Sequence, residues 1–292
     1  MWLDANLPTI LNGLALGGVL FLIAVGLSLV FGTMDVLNLA HGAVSLIGAY
    51  VGVAVLGGGS ANGLFLVAVL LAAAIGLVLG MVLAALTSSL HNHLRQALLT
   101  LGVALIAGDL LEQIFGADIE SVSAPVALAG TVPILGNPYP VYRLAMVGIG
   151  IVVAIVLYLV MERTRVGAVV QATVADRGMV ESIGIRTNLV LGGVFGAGAA
   201  LAAVGGLVAA PVLGAQPGLD DTILLLALVI VVIGGLGSLR GAVVGALFVG
   251  QVQTVGVTLL PEFSSFLLFA GMAAVLLLRP AGLLPTKLKV PA

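Results

Sequence analysis

Residues 9–31 read TILNGLALGGVLFLIAVGLSLVF and carry no charge. A helix needs about 20 mainly apolar residues to cross a bilayer, and in hydrocarbon it must bond its own backbone. This stretch therefore reads as a membrane span. The same pattern recurs along the chain, at 34–57, 64–86, 97–116, 144–161, 189–213, 222–237, 241–260 and 263–279. The runs are long and continuous, unlike the alternating segments of about ten residues that build a membrane β-barrel. The expected fold is all-α: a polytopic helical membrane protein of about nine spans. One or more helices should be broken or re-entrant, because 222–237 is short and ends in Gly234, Gly235 and Gly237. Residues 1–292 read as a single transmembrane domain.

Composition agrees. Of 292 residues, 61% are hydrophobic and only 8% charged, too few polar groups to cover a soluble globule. With no cysteine there is no disulfide framework and no Cys-ligated metal. The net charge of −2 gives no basic field for nucleic acid. Glycine, at 41 residues, suits close helix packing in lipid. Met1 to Pro8 contains Asp4 and no basic residue, so it reads as mature chain rather than a cleaved leader.

Lysine and arginine mark the cytoplasmic side. Arg163, Arg165, Arg177 and Arg186 fall in the 162–188 loop, which is therefore placed in the cytoplasm. Threading nine spans from there puts Arg95, Arg240, Arg279, Lys287 and Lys289 on the same side and leaves only Arg143 outside. The N-terminus is then external. The longest external connection, 117–143, contains Pro125, Pro133, Pro138 and Pro140, which argue against a continuous helix.

Three segments carry chemistry. The first, Asp35 to Gly42, spaces Asp35, Asn38 and His41 by three beside an apolar run. Polar side chains at membrane depth face protein or a water-filled path. Asn38, His41 and Gly42 are therefore candidates for a substrate path. In the competing reading, Asp35 or Asn38 caps a helix over 39–56. The second segment, 162–188, contains Arg163, Thr164, Arg165, Gly167, Asp176 and Gly184. Val166, Val169, Val170, Thr173 and Val174 form one stripe of an amphipathic helix. Such an element fits a groove on a partner, or else is a solvated loop whose arginines only fix topology. The third has Gly234, Gly235, Gly237, Ser238 and Gly241, which permit a helix break or close packing; Gly241 and Gly245 form a Gly-x3-Gly pair.

Other polar residues fit simpler roles. His91 and His93 lie beside Arg95 in a short loop. Asp109 and Glu112 read as interior or interfacial, and Asp220 and Asp221 as caps of the following helix. No metal-ligand spacing, cofactor motif or catalytic triad is evident, so no enzyme activity is expected. No Gly-x4-Gly-Lys-Ser/Thr sequence occurs. If ATP drives transport, another subunit binds it.

Asn38-Leu39-Ala40-His41-Gly42 with Ile47-Gly48-Ala49-Tyr50 resembles the second-span motif of the permease subunits of branched-chain amino acid ABC importers. Glu162 through Gly167, continuing to Gly184-Ile185, resembles that family's coupling loop. Gly234-Gly235-Leu236-Gly237-Ser238, with Gly241, Ala242 and Gly245, resembles its late glycine-rich motif. The three occur in the family's order across nearly the whole chain. Ala43 stands where the family often has an acid, and Ala168 and Gln171 where it often has arginines. The resemblance implies a pore subunit of the cell (inner) membrane, importing leucine, isoleucine or valine. Its implied partners are ABC ATPase subunits, a second homologous permease and an extracytoplasmic solute-binding protein, with no cofactor of its own. Related permeases carry urea or short amides. The rival is a stand-alone secondary transporter, for which Asp109 and Glu112 are the only candidate ion ligands.

Overall fold

The computed structural model describes residues 2–34, 36–57, 62–90, 92–134, 136–259 and 261–285. Among them the α-helices run α1 Trp2–Met34, α2 His41–Leu56, α3 Asn62–Ser88, α4 His93–Phe115, α5 Val141–Arg163, α6 Arg165–Ala175, α7 Arg177–Ser182, α8 Thr187–Leu213, α9 Leu219–Gly234, α10 Leu239–Leu259 and α11 Ser264–Leu278. The fold is all-α and polytopic. Every apolar run of the sequence contains a helix. Six of them (α1, α3, α4, α5, α8 and α10) are long and apolar enough to cross a bilayer. The other three, α2, α9 and α11, have 16, 16 and 15 residues. The run 34–57 was long enough for a span, but its first part is spent on a non-helical approach to α2; 222–237 was already short in the sequence.

Helix α1 and helix α8 form the core and are mostly buried inside the subunit, whereas α4 and α5 ride almost wholly on its outside. Lipid offers no hydrophobic drive for helix association, so backbones approach closely instead. Gly26 of α1 lies against Gly198 of α8, and Gly80 of α3 against Gly196 of α8. Antiparallel pairing follows from successive approaches. Gly13, Gly17 and Gly32 of α1 meet Gln251, Ala246 and Gly237 in turn as α10 is followed backward into the turn before it.

Two ends result. One carries the α6–α7 elbow, the α9–α10 turn and the segment after α11, with Arg163, Arg165, Arg177, Arg186, Arg240 and Arg279. The other carries Arg143 and a hairpin, β1 Thr131–Ile134 paired antiparallel with β2 Asn137–Pro140, in the register Thr131↔Pro140. The hairpin lies within the proline-bearing connection. Tyr139 of β2 donates to Asn12 Oδ1 at 3.0 Å, and Arg143 binds the same oxygen, which fastens the hairpin to α1. A bridge between Glu120 and Ala215 ties the preceding loop to the end of α8.

Two expectations need correction. Asp220 and Asp221 are not caps: the N-cap of α9 is Gly218, and the two acids occupy the first turn, where the helix dipole favours negative charge. Asp109 and Glu112 are not interior; both are exposed on the outer face of α4. His91 and Asp35 lie outside the described residues, and so do Lys287 and Lys289.

Candidate functional site

The entry to α2 is a break at membrane depth. His41, its first residue, uses Nε2 to bond the Ile23 carbonyl of α1 at 2.8 Å. Ile23 is 11 residues before the end of α1 at Met34, about 16 Å along the axis. The chain has therefore climbed well back into the bundle before α2 starts. Non-helical backbone is tolerated at such depth only when protein satisfies it. Here Asn38 Oδ1 accepts from the Ala40 N–H at 3.1 Å, and Thr100 of α4 accepts from the Leu39 N–H at 3.1 Å. The Thr100 hydroxyl also lies 3.4 Å from the Leu37 carbonyl.

Asn38 and His41 are both fully buried within the subunit. Neither lines the two clefts described below. Asn38 Nδ2, His41 Nδ1, Ser45 Oγ and Tyr50 OH have no hydrogen-bond partner among the described residues. Buried polar atoms without partners are rare and call for an explanation. Gly42 follows directly, and its backbone touches that of Asp220 in α9. Thr100 and Ser45 were not singled out from sequence, and Tyr50 entered only as part of the second-span motif. Single hydroxyls within apolar spans give little signal there.

The elbow at the basic end is built by two side-chain caps. Thr164 accepts from the Gly167 N–H at 3.4 Å to start α6, and Asp176 accepts from the Met179 N–H at 2.9 Å to start α7. Gly167 lets α6 fold back against the Met161 carbonyl, where Gln171 Nε2 also donates at 2.8 Å. Val170 and Thr173 face inward, while Val166 is exposed. Arg177 pairs with Glu181 at 3.1 Å and reaches Thr187 and Asn188 of α8. Gly184 turns the chain into α8. Arg163 and Arg165 are exposed and have no hydrogen-bond or ion-pair partner among the described residues. Met179 and Ile183 are exposed apolar residues of the same elbow.

The glycine-rich turn joins α9 to α10 at the same end. Gly234 and Gly241 pack backbone to backbone, leaving no room for a side chain on either. Gly235 and Gly237 have φ of 106° and 72°, which only glycine adopts easily, so α9 stops there. Ser238 Oγ accepts from the Gly241 N–H at 3.0 Å and opens α10. Leu283 and Leu284 donate to the carbonyls of Ile233 and Gly234, satisfying the end of α9. A cleft of about 620 Å³ lies between this turn and the elbow, bordered by Thr33, Glu162, Gln171, Ser238, Arg240 and Arg279. A smaller one of about 240 Å³ opens at the hairpin end beside Asn12, Arg143 and Thr254. Among the described residues no group of His, Asp and Glu is placed to hold a metal.

Comparison with known proteins identifies this arrangement. The sequence profile of the family described as branched-chain amino acid transport system / permease component matches residues 9–276. The chain is 28% identical to the high-affinity branched-chain amino acid transport system permease protein BraD of Pseudomonas aeruginosa, over 95% of each chain. It is 27% identical to the corresponding permease protein LivH of Salmonella typhimurium and to that of Escherichia coli K12, again over 95% of each chain. No solved structure gives a significant match. A multi-pass helical chain matched along nearly its whole length by this profile and these relatives belongs to the branched-chain amino acid transport system permease family.

Proposed function

We propose that this chain is one of two membrane-spanning permeases of an ATP-driven importer in the cytoplasmic membrane, carrying leucine, isoleucine and valine inward. The whole chain acts as one permease domain. ATP is bound and hydrolysed by separate ABC ATPase subunits, a homologous permease completes the pore, and an extracytoplasmic binding protein delivers the solute at the hairpin end. The observation that carries this reading is the elbow. Arg163 and Arg165, without a partner among the described residues, stand where α5 enters a capped, two-helix projection at the basic end of a chain that belongs to a transport permease family. In this assignment Thr164, Gly167, Asp176 and Gly184 shape the elbow that receives the motion of the ATPase. Gly234, Gly235, Gly237, Ser238 and Gly241 keep the neighbouring α9–α10 turn tight enough to transmit it. Asn38, His41 and Gly42 hold the broken entry of α2, whose rearrangement opens the path.

The test is uptake of labelled leucine into proteoliposomes containing the complex purified through this subunit, with its binding protein outside. Uptake that needs ATP and is competed by isoleucine and valine supports the proposal. An ATPase that co-purifies without leucine uptake shifts the substrate to urea or short amides. A chain that transports alone overturns the importer reading.

A further inference from the structure

Among the described residues Arg143 is the only lysine or arginine at the hairpin end. It is the third residue of α5, a helix long and apolar enough to span the membrane, and it is half-buried. Its hydrogen-bond partner is Asn12 Oδ1 of α1, and no carboxylate pairs with it among the described residues. That oxygen is neutral and also accepts from Tyr139. A guanidinium always carries its charge and has several N–H donors, so the charge and most of the donors are left without a complement. An ionisable side chain inside a span is costly and characteristically marks a substrate path.

The smaller cleft opens beside this arginine. Its volume is about 240 Å³, below the roughly 300–1,000 Å³ of pockets that hold drug-sized ligands, so it suits a small solute. Its floor is apolar and closed: Ala15, Val19, Met146 and Ala209 line it and are each no more than 2% exposed. Val212 and Leu213 of α8 form an exposed wall. The polar groups sit together at the rim, where Asn12, Arg143 and Thr254 are half-buried. The Thr254 hydroxyl donates to the Gly250 carbonyl at 2.8 Å, which leaves its lone pairs free to accept.

We propose that this cleft is a subsite for an aliphatic amino acid on the hairpin side of the permease. Arg143 binds the carboxylate, whose two oxygens match the planar fork of a guanidinium. Thr254 accepts from the ammonium, and the aliphatic side chain lies on the Ala15–Val19–Met146–Ala209 floor. A neutral amide or urea offers Arg143 no negative charge, and a polar side chain would bury unpaired groups on that floor. This inference rests on the importer reading above and names the groups by which the chain holds its solute.

The chain has no cysteine, so Val212→Cys gives the subunit a single thiol on the cleft wall. In the complete complex, alkylation of that thiol by a membrane-impermeant maleimide should be slowed severalfold by excess leucine. Leucinamide, which keeps the ammonium and side chain but lacks the carboxylate, should not protect it. Adding Arg143→Gln should abolish protection by leucine. Arg143→Gln should also lower saturating leucine uptake by about tenfold or more, the scale of one lost hydrogen bond to a charged group. Arg143→Lys, which keeps the charge, should retain more of the rate. Tyr139→Phe removes the hairpin's other bond to Asn12 and should leave the rate near wild type. Equal protection by leucine and leucinamide, or none by leucine, overturns the subsite. So does an equal loss of uptake in Tyr139→Phe, which would make Arg143 a fastener of the hairpin, or a loss seen only as weaker half-saturation by loaded binding protein. The protection assay needs no ATP, so a wild-type complex that shows protection but no ATP-dependent uptake defeats the importer reading and not the subsite.

Discussion

Gly42 of α2 and Asp220 of α9 meet backbone to backbone: a carbon placed on Gly42 would collide with the Asp220 carbonyl oxygen. The glycine thus sets how closely the broken entry of α2 seats on the first turn of α9. Gly42→Ala must push the two apart. Overpacking of this kind typically costs about 1–3 kcal/mol. The variant should melt several degrees below wild type in detergent. An unchanged melting temperature would mean that α9 shifts without cost.

His41 ties that same entry to the middle of α1. Its Nε2 bond to the Ile23 carbonyl is fully buried. His41→Phe keeps most of the volume and removes the bond, whereas His41→Ala removes both. A buried hydrogen bond contributes about 0.5–1.5 kcal/mol net, and the cavity adds to it. Melting temperatures should therefore fall in the order wild type, His41→Phe, His41→Ala. A phenylalanine variant as stable as wild type would show that packing alone holds α2 at this depth.

The spans were legible because charge-free runs such as 9–31 allow few other fates for a chain. The breaks were less so. The apolar run 34–57 hides its boundary, because Val36 and Leu37 look as membrane-compatible as any helical residue. Only the side chains of Asn38 and Thr100, acting from different spans, make the non-helical approach to His41 tolerable. The Asn38 bond is local, but the Thr100 bond is tertiary and invisible in a local reading. Asp220 and Asp221 misled for a similar reason: acids before a helix usually cap it, but Gly218 already takes the cap position and moves them into the first turn. The elbow residues Thr164 and Asp176 were named from sequence but not as caps, although each acts on backbone only three residues away.

Glu181 gives the elbow a pH dependence. Its carboxylate accepts from the Thr187 hydroxyl and the Arg177 guanidinium, which hold its pKa below the ordinary 4.5. A carboxylate with a depressed folded pKa contributes stability above its unfolded pKa and loses it as pH falls through the folded value. The group is exposed, so solvent screening keeps the effect small. Amide exchange across 177–187 should be faster in Glu181→Gln than in wild type at about pH 7, and the difference should shrink as the pH falls through the depressed pKa, below the ordinary 4.5. A difference that persists at the acid end would assign the effect to shape rather than charge.

Arg163 and Arg165 flank Thr164, whose hydroxyl caps α6, yet neither arginine bonds anything among the described residues. Their loss should therefore leave the elbow standing. Arg163→Ala combined with Arg165→Ala is expected to preserve the melting temperature of the isolated subunit. Because the pair is exposed, any energy it contributes comes from a partner, and screening by salt should weaken it. Affinity for the ATPase should fall by about tenfold, equivalent to 1.4 kcal/mol, and wild type in high salt should move towards the same value. Undiminished co-purification of the ATPase with the double variant would remove the arginines from the docking surface. It would leave the exposed apolar side chains of Val166, Met179 and Ile183 as the contacts to change next. Those contacts would resist salt, so the salt series separates the two kinds of interface even before a second set of variants is made.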